Sequence, residues 1–258
     1  MHYEIDCIVI NLDRDKERWQ KMHESLDVLG VSHRRFSAID GKTIGDRYDA
    51  LMDPIAKHLT CYGVLGCALS HKVALRDFLE HSDSPVCLLL EDDAVGVPDS
   101  AEIMQRLLKE APDGWHMIKL SRYPNRKNGP PLIKNKFTVD ACAQLISRAG
   151  AKKMTETKIL FPSYPDITPW FIPGLEVYTA RDDFKTFDQV WSREATGIHK
   201  GRYPFYFLNL KILRLGVAEF SYGDIFVFLL LALGVIVLLV LRYRKSIRKL
   251  YKIKRYMY

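Results

Sequence analysis

Runs of consecutive apolar residues alternate with stretches of helical spacing along the first 160 residues, the pattern of strands in a sheet covered on both faces. IDCIVINL, residues 5–12, predicts a buried strand. Residues 13–29 follow as an amphipathic helix, with Trp19, Met22, Leu26 and Leu29 at helical spacing and Gly30 as its stop. HRRFSAIDG, from His33, predicts a short strand and a glycine turn. Helices are predicted over 63–80 and 99–110, with a fully apolar strand over 86–90 between them. Residues 115–120 predict a strand that runs into the loop SRYPNRKNGPP, residues 137–146 a further strand, and 147–157 a helix. Four prolines between Leu160 and Gly174 make that segment a shaped loop. The alternation is that of an α/β fold with βαβ-type connections.

The pattern changes toward the carboxyl end. Residues 203–220 mix large apolar residues with Lys211, Arg214 and Glu219, which predicts either an amphipathic helix lying in a membrane interface or a last helix docked on the domain. Residues 225–241 are 17 uncharged residues, or about 25 Å as a helix, the short end of a bilayer span. Tyr222 and Tyr243 flank them as interfacial anchors would. The expected organisation is a folded domain over 1–200, an amphipathic or linker segment over 201–224, a membrane helix over 225–241 and a basic tail over 242–258.

Charge changes the picture once it is located. The net charge of +7 suggests nucleic acid, anionic membrane or an acidic substrate as partner. The tail 242–258 holds eight Lys or Arg and no acid, and without it the chain stands at −1. The basic balance therefore belongs beside the apolar segment, where it suits anionic headgroups, and no nucleic-acid recognition motif accompanies it. The amino-terminal MHYEIDCIVINLD lacks the pattern of a cleavable secretory signal. Five cysteines, four of them inside apolar runs, read as reduced and buried, without zinc-site spacing.

The candidate chemistry lies in PVCLLLEDDAVG, where an apolar strand ends in Glu91, Asp92 and Asp93. Three adjacent carboxylates repel unless a cation or hydrogen-bond donors offset them. Mg²⁺ or Mn²⁺ takes such oxygen ligands together with the phosphates of a substrate, and ligands of open α/β sheets gather at strand carboxyl ends. A solvated acidic turn that caps the next element is the alternative.

Six stretches in this order resemble glycosyltransferase family 25, which includes bacterial lipooligosaccharide glycosyltransferases and collagen galactosyltransferases. They are IVINLDRDKERW near the start, FSAIDGK (36–42), GCALSH (66–71), LLLEDDA (88–94), IKL (118–120) and LISRAGAKKM (145–154). SYPDI (163–167) is similar to a later Pro-x-Asp element. The resemblance spans about residues 5–170 and implies a GT-A-type nucleotide-sugar-binding sheet flanked by helices. It implies inverting transfer of a hexose, typically galactose from UDP-galactose, to a hydroxyl of a glycan, lipid-linked or protein acceptor. Glu91, Asp92 and Asp93 would then hold Mn²⁺ or Mg²⁺. Asp166 would be the general base, and Asn11, Leu12, Arg18, Asp40, Ser70 and His71 would bind the donor. Each has a structural alternative as cap, salt bridge, turn or helix-packing residue.

Three positions depart from the family pattern. Val64 stands where Glu is common, Gln144 where an aromatic is common, and His116 where Asp is common. A catalytically silent glycan-binding or adhesion protein on the same scaffold is therefore carried beside the enzyme. The expected location is a membrane, with the domain on the cytosolic face and an ER or Golgi lumen as the alternative.

Overall fold

A computed structural model describes residues 2–121, 129–135, 141–160, 164–189, 211–215 and 218–221, with Leu229 and Leu233. The chain divides into two units, Met1–Gly201 and Arg202–Tyr258. In the first, β1 (Ile5–Asn11) leads into α1 (Lys16–Val28), β2 (His33–Ser37), the short α2 (Pro54–Leu59) and the long α3 (Tyr62–His81). Then come β3 (Val86–Glu91), β4 (Ala94–Gly96), α4 (Ser100–Glu110), β5 (Met117–Lys119) and β6 (Leu132–Lys134). Next are β7 (Ala143–Ser147), α5 (Arg148–Glu156), α6 (Thr168–Phe171), β8 (Val177–Ala180) and β9 (Phe187–Gln189).

Seven strands form one sheet in the order β2-β1-β3-β7-β5-β8-β6, and β4 pairs with β9 apart from it. β1 is parallel to both β2 and β3, as the βαβ reading predicts. β7 then runs antiparallel to both β3 and β5, and β6 antiparallel to β8, so the sheet is mixed. Because β7 inverts twice between its neighbours, β5 points the same way as β3. The carboxyl ends of β1, β3 and β5, at Asn11, Glu91 and Lys119, therefore share one edge.

Both faces of the sheet are covered around β1 and β3, which is why these two strands are almost wholly apolar. Alternate β1 and β3 residues Ile8, Ile10, Cys87 and Leu89 pack with Ala74, Leu75 and Phe78 of α3 and Ala151 of α5. Cys7, Val9, Leu88 and Leu90 face the other way, onto Met22 and Leu26 of α1 and Met104, Leu107 and Leu108 of α4. All five cysteines are free, and all but Cys67 are buried.

Local chemistry sets the helix ends. Gly30 has φ +65°, and the Gly30 and Val31 amides donate to Asp27 O and Leu26 O, the paired bonds that close a helix on a left-handed glycine. Asp53 caps α2 through the Ala56 amide and Ser147 caps α5 through the Gly150 amide. At the other end of α5 the cap comes from a neighbouring helix: buried Lys72 of α3 donates to Met154 O at 2.9 Å and also to Thr157 O. Replacing Lys72 by Met keeps the apolar stem and removes both donors. The expected loss is about 1–2 kcal/mol of stability, read from the urea midpoint, because two carbonyls then lack their partner.

Residues 211–221 correct the helix expectation. They hold an antiparallel pair, β10 (Lys211–Leu215) with β11 (Ala218–Ser221), in which Leu215 pairs with Ala218. The connection is two residues long and its first residue in sequence is Gly216, a placement that favours a hairpin over a continued helix. Among the described residues no helix is long and apolar enough to cross a membrane. Apart from Leu229 and Leu233, segment 225–241 lies outside the described residues, as do the tail, residues 137–140 of the expected strand and most of the loop after Leu120.

Candidate functional site

The acidic turn is where β3 leaves the sheet. Leu90 is the last residue of β3 paired with β7, the Glu91 amide donates to Cys142 O, and β4 begins at Ala94 against β9. Asp92 and Asp93 are thus held in a short turn between two paired strands. Strand alternation sends Glu91 to the face covered by α3. There Cys67 and His71, spaced one helical turn apart, meet it: His71 Nε2 lies 2.9 Å from Glu91 Oε1, and the Cys67 thiol lies 3.5 Å from the same oxygen. Burial pushes the Glu91 carboxyl up. The hydrogen bond and charge of His71, with Cys67 and Arg18, more than offset it, so the net shift is downward and favours the carboxylate.

Asp92 and Asp93 meet a different set of partners. Arg18 of α1 places Nη2 2.6 Å from Asp92 and 3.9 Å from Asp93. Asn11 Nδ2 donates to Asp92 at 2.7 Å, and Gln189 Nε2 donates to Asp93 Oδ2 at 3.0 Å. Burial raises the Asp92 carboxyl, with Arg18 and Asn11 acting against it. Asp93 rises further, to about 6, through burial and then the negative charge of Glu91. Its other oxygen, Oδ1, is buried with no hydrogen-bond partner. A buried carboxylate oxygen left open beside two other acids is suited to a hard cation.

Asn11 is the link between this turn and the first loop. Its Oδ1 accepts from Arg35 Nε at 2.8 Å, and Arg35 also pairs with Asp13 at 2.6 Å, to which the Ser37 hydroxyl donates. The Leu12 carbonyl accepts from the Asp15 amide at the entry to α1. Asp40 stands apart from this network: it caps the turn at Gly41–Thr43 through the Lys42 amide and pairs with Arg14. Ser70 donates to Gly66 O and accepts from the Ile39 amide, fastening the AIDG loop to α3. The arrangement brings Asn11, Arg18, Asp92 and Asp93 into one set of contacts and Glu91 with His71 into a second. Leu12, Asp40 and Ser70 hold the loops around them.

Asp166 lies inside the turn that leads into α6, in which Tyr164 O accepts from the Ile167 and Thr168 amides. Burial pushes the Cys67 thiol well up, and the charges of Glu91, Asp166 and Asp93 add to that in turn, so all three acids lie within electrostatic reach of this residue of α3. Lys119 is the residue that the sequence reading passed over. It is fully buried at the end of β5, and its Nζ donates to Asp166 O at 3.2 Å. Its signal was a lysine closing an otherwise apolar strand, WHMIKL.

The three departures sit in different places. Val64 is buried in α3, and Gln144 of β7 lies opposite Lys119 in the ladder, on the site's edge. His116 precedes β5, at the opposite edge, so the family's Asp is not missing from the acidic turn. There His116 Nδ1 accepts from the Glu176 amide at 2.9 Å. Burial and the charge of Lys153 lower its pKa from 6.5, partly countered by Glu176. A lowered imidazole means the unfolded chain binds more protons just below pH 6.5, so stability falls as pH drops through that window. Urea midpoints at pH 7.5 and 5.5 should therefore separate less in His116→Asn, which keeps an acceptor but has no titration, than in the wild type.

The model of glycosyltransferase family 25 (LPS biosynthesis protein) matches residues 4–128. A glycosyltransferase 25 family member of Aedes aegypti is 30% identical over 172 residues, which cover 59% of this chain and 28% of that protein. The mouse (Mus musculus) protein named inactive glycosyltransferase 25 family member 3 is 24% identical over 208 residues, covering 73% of this chain and 34% of its own length. The chain thus spans about a third or less of these curated relatives. Among solved structures, a glycosyltransferase involved in the glycosylation of the major capsid of PBCV-1 is similar with a TM-score of 0.44 and 10% identity, over 76% of this chain and 98% of that one. Order of motifs, family match and relatives agree: residues 4–128 match the glycosyltransferase family 25 domain, and the chain is similar to curated members of that family.

Proposed function

We propose that this chain is a metal-dependent inverting hexosyltransferase. It moves a hexose, galactose in the first instance, from a nucleotide diphosphate donor such as UDP-galactose to a hydroxyl of a glycan, lipid-linked or protein acceptor. The observation that carries this reading is the open, buried Asp93 oxygen in a turn shared with Asp92 and Glu91, beside Arg18. Its oxygen donors fit Mn²⁺ or Mg²⁺, with Asp93 and Asp92 as the first holders and Glu91 behind them. Such a cation, when bound, offsets the charge of the leaving diphosphate.

The chain's own groups do the rest. Arg18 counters the push of burial against the charged form of the two aspartates and, one third exposed, presents a guanidinium to phosphate. Asn11 orients Asp92, and His71 fixes one Glu91 oxygen. Leu12, Asp40 and Ser70 set the loops that bind the donor. Asp166 takes the proton of the acceptor hydroxyl. A GT-A-type sheet supplies the shared strand edge on which these groups meet.

The test is donor hydrolysis and transfer with purified chain, with and without Mn²⁺, against a Glu91→Ala, Asp93→Ala double variant. Metal-stimulated turnover that the double variant loses supports the enzyme. Equal, background turnover in both would leave the second reading, a silent glycan-binding protein, which the inactive name of the mouse relative favours. Membrane attachment through segment 225–241 and the tail, with the domain on the cytosolic face, belongs to the same proposal. Protease protection of tags at both ends in sealed membranes tests it, and a protected amino-terminal domain would place the domain in a lumen instead.

A further inference from the structure

A second group of metal-ligating side chains lies away from the acidic turn, where the end of α1 meets the start of β2. His23 and Asp27 stand one helical turn apart on α1, and His33 opens β2. Their ligand atoms all fall within 4.8 Å of one another. His23 Nδ1 lies 2.8 Å from His33 Nε2, and Asp27 oxygens lie 3.6 Å from His23 Nε2 and 3.9 Å from His33 Nδ1.

The hydrogen bonds determine which nitrogen is available. His33 Nδ1 is 2.8 Å from Val31 O, and a carbonyl can only accept, so Nδ1 carries the proton of the neutral ring. The lone pair of His33 is then on Nε2 and points at His23. A ring nitrogen fixed by a backbone carbonyl while its other nitrogen faces a partner is the arrangement found behind metal-bound histidines. Trp19 stacks on His23 at 5.5 Å and meets His33 edge-on, which holds both rings in place. His33 has a side chain only 4% exposed, whereas His23 is 43% and Asp27 60% exposed, so the pair is anchored on one side and open to solvent on the other.

We propose that His23, His33 and Asp27 form a zinc-class transition-metal site that clamps α1 to β2. The ion takes the position of the proton now shared between the two rings. His23 then carries its proton on Nε2, and no charge is lost from either imidazole. Ligand nitrogens around tetrahedral Zn²⁺ stand about 3.3 Å apart, so the present 2.8 Å needs only a small opening. Asp27, whose oxygens now lie nearest the outer nitrogens His23 Nε2 and His33 Nδ1, swings its exposed carboxylate onto the ion as the third ligand, and solvent supplies the fourth. Two imidazoles and one carboxylate favour Zn²⁺ or Cu²⁺ over the Mn²⁺ and Mg²⁺ expected at the acidic turn, so the two sites differ in metal preference as well as position.

The experiment is calorimetric titration of chelator-treated full chain with ZnCl₂, with thermal unfolding in parallel. The wild type is expected to bind one Zn²⁺ that His23→Gln does not, and to gain unfolding temperature on adding Zn²⁺ where His23→Gln does not. His23→Gln is the chosen variant because its side chain is far more open to solvent than that of His33, while His33→Ala serves as a second check. Asp27→Asn should weaken the binding about tenfold or more. Equal Zn²⁺ stoichiometry and affinity in the wild type and His23→Gln would overturn the proposal. So would loss of the bound Zn²⁺ in Cys67→Ser, since the ion would then belong to Cys67, His71 and Glu91, whose ligand atoms also converge.

Discussion

Replacing Asp166 by Asn is expected to lower hexose transfer by about 10²–10⁴-fold while leaving donor affinity near its wild-type value. The expectation rests on a division of labour among the four acids. Asp92 has one oxygen on Arg18 and the other on Asn11, and Glu91 is turned to the α3 face of the sheet, where His71 and Cys67 hold one of its oxygens. Asp93 has a free oxygen, but that oxygen is buried in the turn where the cation would sit. Asp166 comes from another part of the chain, after the proline-rich loop, and its backbone is held by Lys119 from the end of β5. A base must approach the acceptor from the side opposite the leaving group, and only Asp166 is carried by an element other than β3 and its turn. Steady-state kinetics with varied donor and acceptor separate the possibilities. A fall in kcat with an unchanged donor KM fits the base. A raised donor KM with kcat intact would assign Asp166 to binding, and an unaffected Asp166→Asn enzyme would remove it from the mechanism.

Much of the site was legible because its chemistry interrupts a strong pattern. LLLEDDA is visible as three charges at the end of a run of leucines, and the α3 segment GCALSH as polar residues on an apolar helix. The partnership of His71 with Glu91 was not legible, since each residue alone reads as a cap or packing residue. It follows only from α3 crossing the carboxyl end of β3. Lys119 was quoted in its motif yet passed over, because a single lysine at a strand end ordinarily reaches solvent. Here β5 lies inside the sheet between β7 and β8, and Lys119 Nζ turns to the Asp166 carbonyl instead.

The mixed sheet was hidden for a related reason. Periodicity is identical for a strand in either direction, so nothing in AQLIS announces that β7 runs against β3 and β5. The carboxyl end of the chain failed differently. Residues 203–220 are dense enough in large apolar residues to pass for a helix, and the two-residue connection at Gly216 is a weak signal beside that density. Strand β8 went unread because VYTA is four residues long between turn-rich neighbours.

Gly66→Ala should be among the most damaging small substitutions in the first unit, and the reason is backbone contact. A Cβ at Gly66 would stand 2.6 Å from both Ile39 O and Gly41 N, and a Cβ at Gly41 would stand 1.6 Å from Tyr62 O. The AIDG loop therefore lies directly on the first turns of α3, where neither surface carries a side chain that could rotate away. Overpacking costs about 1–3 kcal/mol and occasionally more, and contact with backbone belongs at the upper end. Alanine's greater helix preference returns at most about 1 kcal/mol, so the clash wins and a net loss of about 2–3 kcal/mol is expected. The strain has a direction. The bond from the Ile39 amide to Ser70 crosses the same contact, and Cys67 and His71 follow within five residues, so relieving the clash by lifting α3 also draws His71 off Glu91. Activity should then fall further than the unfolded fraction explains. Gly45→Ala is the control, since nothing lies within 4 Å of its Cβ position, and it should leave the urea midpoint unchanged or raise it slightly. If Gly66→Ala unfolds at the wild-type urea concentration, the loop does not rest on α3 as described, and the positioning of His71 by that contact falls with it.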